Sequence, residues 1–195
     1  MDQKATKGDA LPSGFLSVRA PRDGRVRWYA VRVPAGRESS FAEDCRRAIG
    51  PDLLEDCFVP RYERYTKRQG IWRVETVPMF SGYAFAATRD VRALARALGR
   101  LSFAEQPVGR QGSSYAPLSR DVQAWLEATL DSSRVLRASE GRIEGGVLTV
   151  ERGPLRGSER IVRKVDRHKR MAYVGLGDGD SEFLLRAGLS VPSKS

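Results

Sequence analysis

The segment of the chain with the most distinctive chemistry is a run of basic residues near the C-terminus. Residues 163–170 read Arg-Lys-Val-Asp-Arg-His-Lys-Arg and lie between two strand-like apolar segments. The window 151–170 has eight basic and three acidic residues, so it supplies half of the net charge of +10. Such a loop suits a phosphate backbone, although a solvated charged face is the alternative. The candidate nucleic-acid-binding residues are Arg163, Lys164, Arg167, His168, Lys169 and Arg170.

A set of aromatic residues in the first half of the chain forms a second candidate surface. Core packing is the alternative, and it is favoured for Phe58 and Phe85. Tyr62 and Tyr65 lie three apart in an extended segment, so they point to opposite faces and at least one is expected at the surface. An exposed aromatic patch beside basic residues is a candidate protein interface. The set comprises Phe58, Tyr62, Tyr65, Phe80 and Tyr83, beside Pro60 and Gly82.

The remaining polar residues do not form a pattern that favours catalysis. The chain has one His and two Cys, and Cys45 and Cys57 are predicted on different elements, which disfavours a metal site. Gly175, Gly177 and Gly179 do not connect a strand to a helix, so they do not predict a phosphate-binding loop. We expect no catalytic residues, no metal and no cofactor. Without a long apolar run, we also expect a reduced, cytoplasmic protein that does not enter membranes.

The elements that position these residues follow from apolar periodicity. Up to residue 131 the order is strand, helix, strands, helix, strand, helix, which predicts an α+β sandwich with a mostly antiparallel sheet and about three helices. Ser40 and Glu43 have the spacing of a capping box, a second helix is predicted to start at Asp90 and to end at Gly99, and Ser119 is predicted to cap a third. Beyond residue 139, short strands are predicted at 147–150, 160–162, 171–174 and 183–185, and their close spacing predicts a small all-β barrel of SH3 type. We predict a flexible tail over 1–27, an α+β domain over 28–131, a linker over 132–139 and the barrel over 140–195.

Several short motifs, in the same order, resemble those of the NusG family of transcription elongation factors. Trp-Tyr-Ala-Val at 28–31, followed by a helix, resembles the start of the family's N-terminal NGN domain. The segments 57–64 (Cys-Phe-Val-Pro-Arg-Tyr-Glu-Arg) and 80–85 (Phe-Ser-Gly-Tyr-Ala-Phe) resemble its two central motifs. Gly-Pro-Leu-Arg-Gly at 153–157 resembles its KOW motif. Ser81 stands where the family usually has Pro.

The resemblance implies an NGN domain followed by a KOW barrel. In this family the NGN domain binds RNA polymerase at the clamp helices of the largest subunit. Carried over residue by residue, the candidate polymerase-binding residues are Pro60, Tyr62, Phe80 and Tyr83.

Within the family, segments 58–64 and 165–170 look most like LoaP-type specialised paralogues. Those paralogues are associated with processive antitermination and with recognition of an RNA hairpin in the transcript leader. The basic segment favours this function over a general NusG-like adaptor whose KOW domain binds Rho or a ribosomal protein. A ribosome-associated RNA-binding protein is a third interpretation, against which the NGN-like half counts. Non-template DNA and other elongation factors are further candidate partners, and a monomer is expected.

Overall fold

The chain folds into two compact units that are interleaved along the sequence. In this computed structural model the first unit comprises Met1–Val59 and Phe80–Gln123, and the second comprises Pro60–Met79 and Ala124–Ser195. The structure describes residues 11–12, 15–16, 24–101, 109–110, 114–177 and 182–192. Most of the predicted tail 1–27 therefore lies outside the described residues. The predicted domain boundaries at residues 131 and 140 stay predictions.

Thirteen strands and three α-helices are present in the described residues, together with a 3₁₀ turn at Glu159–Ile161. In chain order they are β1 (Arg27–Arg32), α1 (Glu38–Ala48), β2 (Asp56–Phe58), β3 (Arg61–Arg68), β4 (Ile71–Pro78), β5 (Tyr83–Thr88), α2 (Val91–Leu98), β6 (Gly109–Arg110), β7 (Ser114–Tyr115), α3 (Arg120–Thr129), β8 (Val135–Leu136), β9 (Ser139–Glu144), β10 (Val147–Arg152), β11 (Val162–Asp166), β12 (Met171–Leu176) and β13 (Phe183–Ser190).

The first unit is built on an antiparallel sheet in the order β1-β5-β2, which confirms the predicted α+β class. All six residues of the central strand β5 are buried. Because side chains alternate along a strand, Ala84 and Ala86 lie on one face and Phe85 on the other. The two alanines pack in a core with residues of α1 and α2, such as Phe41 and Leu94.

The other face of this sheet carries a cluster of aromatic rings around Phe85. Its ring centroid lies 5.8 Å from Phe80, 5.9 Å from Phe58 and 5.9 Å from Phe15. Phe15 has no exposed surface, and its carbonyl oxygen accepts a hydrogen bond from the amide of Ser119. Phe15, which lies in the predicted tail, is thus a core residue. Sequence reasoning missed it because Phe15, Leu16 and Val18 are too few apolar residues to indicate a core.

Helix α1 begins at Glu38, two residues before the predicted capping box, so the prediction for Ser40 and Glu43 is wrong. The Ser40 hydroxyl donates instead to the carbonyl of Arg37. Glu38 is 5% exposed, and its carboxylate accepts hydrogen bonds from the amides of Gly36 at 2.8 Å and Gly82 at 2.7 Å. Gly82 has a φ of +81°, so this side chain secures a turn that only glycine adopts readily.

Of the predictions for the starts of the other two helices, one agrees with the structure in full and the other only in part. Helix α2 starts after Asp90 and ends at Gly99 as predicted, and the Asp90 carboxylate accepts a 2.9 Å hydrogen bond from the amide of Ala93. Ser119 does precede α3, but its hydroxyl is buried and has no hydrogen-bond partner in the described part of the chain. The side-chain cap predicted at Ser119 is therefore wrong.

The second unit contains a five-stranded sheet in the order β10-β9-β13-β12-β11. Only β13 and β9 pair in parallel; the other neighbours are antiparallel. This confirms the predicted all-β character of the C-terminal region. Residues 160–161 were predicted as strand but belong to the 3₁₀ turn, and β9 was not predicted.

A smaller sheet of the same unit has the order β4-β3-β8. Gln69 and Gly70 link β3 to β4 with φ angles of +50° and +81°, as in a type I′ turn. Strand β8 lies in the predicted linker and pairs in parallel with the start of β3. Strand β13 also approaches β3 so closely that a Cβ on Gly188 would lie 2.5 Å from the carbonyl oxygen of Glu63. These contacts explain why the β3–β4 hairpin groups with the C-terminal strands.

Candidate nucleic-acid interface

The basic segment forms a tight turn between β11 and β12, which we call the basic turn (residues 167–170). The Asp166 carboxylate accepts a 2.9 Å hydrogen bond from the amide of Lys169. Arg170 closes the turn with a φ of +48°, and its carbonyl accepts a 3.0 Å bond from the amide of Leu189 on β13. The turn therefore holds Arg167, His168 and Lys169 in exposed positions on a short, hydrogen-bonded frame.

Two of the predicted binding residues, Arg163 and Lys164, lie on β11 outside the basic turn. Both are exposed, but Arg163 forms an ion pair at 2.8 Å with Glu182 and donates to the carbonyl of Arg160. The Lys164 ammonium lies 5.7 Å from the ring centroid of Tyr173. Tyr173 and Gly175 share a face of β12, so Arg163 and Lys164 lie on the same side of the sheet, where Glu182 and the Tyr173 ring contact them.

Arg170 is half-buried and packs against aromatic rings of the β3–β4 hairpin. Its guanidinium carbon lies 4.4 Å from the ring centroid of Trp72 and 5.5 Å from that of Tyr65. Such stacking is worth about 0.5–2 kcal/mol, depending on how far the cation is desolvated. Arg170 thus anchors one end of the basic turn, whereas Arg167 and His168 project freely.

The hairpin contributes residues that sequence reasoning missed. Lys67 lies directly opposite Trp72 in the β3–β4 register, and its ammonium is 5.9 Å from the indole centroid. Burial raises the pKa of the adjacent Tyr65, reinforced by the negative charges of Glu140 and Glu63 and opposed by Arg170. The positions of Lys67 and Trp72 on either side of a Gln-Gly turn predict that the two side chains share one face of a hairpin. They do not predict that this face contacts Arg170.

The predicted polymerase-binding residues are placed mostly in the interior. Pro60, Tyr62 and Tyr83 are buried, with the two tyrosines 6% and 5% exposed. Phe80 is half-buried, and its ring lies 4.7 Å from Phe15 in the aromatic cluster of the first unit. Of the four, Phe80 therefore offers the largest accessible fraction to a partner.

The segment that leads into the C-terminal sheet is held by a network of charged groups in the second unit. Arg137 donates to Glu63 at 2.9 Å and to Asp131 at 2.6 Å, and Glu63 also accepts from the amide of Ala138. Burial opposes ionisation of Asp131, but hydrogen bonds from the Val135 amide, Arg137 and the Ser133 amide outweigh it and lower its pKa. Both the backbone and the side chains of the predicted linker are therefore hydrogen-bonded to β3.

The Asp131→Asn variant is expected to lose stability at neutral pH but not in acid. A carboxyl group whose pKa is lowered by folding stabilises the native state above its unfolded pKa of about 3.9 and ceases to do so as pH falls through its folded value. We expect a loss of roughly 1 kcal/mol at pH 7, measured by urea unfolding, that disappears below about pH 3. Asp52→Asn, at an exposed turn of the first unit, is the control. A loss that persists in acid would contradict the electrostatic explanation.

The two cysteines lie in the core of the first unit. Cys45 and Cys57 are each 1% exposed, and both are free thiols. A hydrogen bond with Cys45, together with burial, raises the pKa of Cys57 well above its usual value. Within the described residues, no cluster of three His, Cys, Asp or Glu side chains could hold a metal ion.

Comparison with known proteins identifies the family. The sequence model described as "Transcription termination factor nusG" matches residues 26–123, half of the chain. The chain belongs to the NusG family. Among solved structures, that described as "Domain interaction in Thermotoga maritima NusG" is similar, with a TM-score of 0.48 and 14% identity, over 84% of this chain and 94% of that chain. No curated protein sequence matched the chain.

Membership of the NusG family establishes the general function. NusG proteins are non-enzymatic factors that act in transcription elongation and termination and bind RNA polymerase. The matched segment contains the sheet β1-β5-β2 with α1 and α2, and also the β3–β4 hairpin. None of the described helices has the length and hydropathy needed to span a bilayer. The predicted cytoplasmic location stays a prediction.

Proposed function

We propose that the protein is a LoaP-type antitermination factor that binds both RNA polymerase and a structured RNA hairpin in the transcript leader. The observation that carries this proposal is the basic turn, where Arg167, His168 and Lys169 are exposed on a frame fixed by Asp166 and β13. The hydrogen-bonded backbone of the turn limits the conformational entropy lost on binding, so its exposed cations suit the regularly spaced phosphates of an A-form stem.

The polymerase contact is proposed to lie in the NGN domain, at the clamp helices of the largest subunit. Phe80 would supply direct apolar contact, because it is only half-buried. Tyr83, buried in the same unit, would shape this surface, and Pro60 and Tyr62 of the second unit are the other two proposed polymerase-binding residues. Attachment to both polymerase and nascent RNA would raise the effective concentration of the factor at its own operon, without requiring a strong contact at either site.

Single-round transcription through an intrinsic terminator tests this function. The cognate polymerase would transcribe templates with and without the native leader, each with and without the protein. We expect readthrough to increase only when leader and protein are both present. Readthrough that does not depend on the leader would contradict RNA-guided antitermination.

A general NusG-like adaptor is the second candidate function, and exposed apolar residues of the C-terminal sheet favour it. Val147, after the β9–β10 turn, is 67% exposed, and Leu184 on β13 is 53% exposed. Such side chains suit a protein partner such as Rho or a ribosomal protein better than they suit RNA. Unchanged or increased termination on both templates would support this adaptor function.

A further inference from the structure

Two cations from different elements of the second unit converge on one indole ring. Lys67 comes from the β3–β4 hairpin and Arg170 from the basic turn, and both lie within 6 Å of the Trp72 ring centroid. Trp72 and Arg170 are each half-buried, so part of this stack remains accessible to a ligand. The basic turn and the hairpin therefore present one continuous surface, although nearly a hundred residues separate them in sequence.

The strand register assigns each side chain of the hairpin to a face. Residues directly opposite each other in an antiparallel pair share a face. Lys67 is opposite Trp72, and Tyr65 is opposite Val74, so these four form the face toward Arg170, which we call the Trp72 face. The reverse face carries the pairs Arg64 with Glu75, Thr66 with Arg73, and Arg68 with Ile71.

The two faces differ in how far their positive charge is compensated. On the reverse face Glu75 pairs with Arg64 at 3.2 Å and Arg68 at 2.8 Å. On the Trp72 face, neither Lys67 nor Arg170 has a carboxylate within ion-pair distance among the described residues. The nearby Glu63 is held by Arg137, which leaves the exposed Glu140 as the other carboxylate close to Tyr65. Two cations over one ring repel each other, and a bound anion would relieve that repulsion.

We propose that the Trp72 face and the basic turn form one composite RNA site. An unpaired nucleotide of the leader hairpin stacks on the Arg170–Trp72 pair, while Lys67 and Arg167 contact phosphates next to it. RNA is favoured because planar guanidinium and indole groups can stack on an unpaired base, whereas the bases of an A-form stem are already stacked. The positive charge around this surface also favours RNA. This inference rests on the proposed RNA-binding function and adds the hairpin and an unpaired base to it.

The test compares single substitutions on the two faces of the same hairpin. The full-length protein would be titrated with a fluorescent RNA stem-loop from the native leader, and with a blunt duplex of the same stem. Lys67→Gln is expected to weaken binding of both RNAs about three- to tenfold and to reduce the salt slope by about one. Arg73→Gln removes the same charge from the reverse face and is expected to bind as the wild type does.

Substitutions of Trp72 form the second part of the test. Trp72→Leu is expected to weaken stem-loop binding about tenfold and duplex binding much less, because only the stem-loop supplies an unpaired base. Trp72→Phe keeps a stacking ring and should recover most of the affinity, which separates stacking from a folding defect. Equal binding by Lys67→Gln and Arg73→Gln, or equal losses on both RNAs for Trp72→Leu, would overturn the composite site.

The outcomes also separate this inference from the function on which it rests. If substitutions in the basic turn weaken RNA binding and those in the hairpin do not, only the composite site fails. If neither set changes binding, RNA recognition by the second unit fails as well. Loss of binding to an acidic protein partner, with RNA affinity unchanged, would assign the Trp72 face to a protein and overturn the proposal.

Discussion

An Arg167→Gln, Lys169→Gln double variant is expected to bind the leader stem-loop about tenfold more weakly at physiological salt. The two side chains are exposed at the tip of the basic turn, where the Arg167 guanidinium forms no hydrogen bond or ion pair with other described residues and Lys169 pairs with Asp166 only at 3.9 Å. The frame survives, since Asp166 binds the backbone amide of Lys169 and not its side chain. Each lost phosphate contact should also flatten the dependence of log K on log salt by about 0.9.

The matched control removes two positive charges from helix α2 of the first unit. Arg92→Gln with Arg96→Gln, both exposed on α2 of the first unit, lowers the net charge of +10 by the same two units. If affinity depended on total charge alone, the two double variants would bind RNA equally. We expect the α2 variant to keep wild-type affinity to within about twofold, because the charges it removes do not belong to the surface assigned to the RNA phosphates. Equal losses would remove the reason for assigning RNA to the basic turn.

Replacing Glu38 by Ala is expected to lower the free energy of unfolding by about 1–3 kcal/mol. The carboxylate is buried and accepts from two amides, at Gly36 and Gly82. Alanine would leave the buried amide of Gly82 without a partner, which costs about 1–3 kcal/mol, whereas the exposed amide of Gly36 can bond to water. Gly82 follows Phe80 by two residues, so binding to RNA polymerase should weaken together with stability.

Two variants of the same helix separate the hydrogen bonds from helix propensity. Glu38→Gln keeps one acceptor oxygen and should lose about half as much stability as Glu38→Ala in urea unfolding. Glu43→Ala changes an exposed glutamate of α1 and should stay within about 0.5 kcal/mol of wild type. A Glu38→Ala protein as stable as Glu43→Ala would show that water satisfies the two amides.

The sequence predicted a helix or strand correctly where the residues that determine its ends lie within that helix or strand. Helix α2 starts after Asp90 and ends at Gly99, as the sequence indicated, because a cap acts within one helical turn. The capping box at Ser40 and Glu43 failed because a distant requirement, the amide of Gly82, selects Glu38 as the functional carboxylate of α1. Strand β9 was missed because its small and charged residues acquire a strand conformation only by pairing with β10 and β13.

The candidate sites show the same division between local and long-range information. The exposed tip of the basic turn could be predicted, since charge density and turn formation are local properties. The aromatic set was identified by residue type, but only burial distinguishes the half-exposed Phe80 from Tyr62 and Tyr83. The hairpin residues Lys67 and Trp72 were not predicted as a site, because their alternation is common to many solvated strands.

By itself, the sequence determined the order of an α+β region and an all-β region, the family, and the place where positive charge is concentrated. These depend on periodicity, short motifs and composition, which do not require knowledge of which distant residues meet. Only the tertiary structure decided that Phe15 joins the core, that Glu38 secures the Gly82 turn, and that Arg170 stacks on Trp72. Those contacts depend on strand pairing and packing between segments far apart in the chain, and their free energy exists only once the chain has folded.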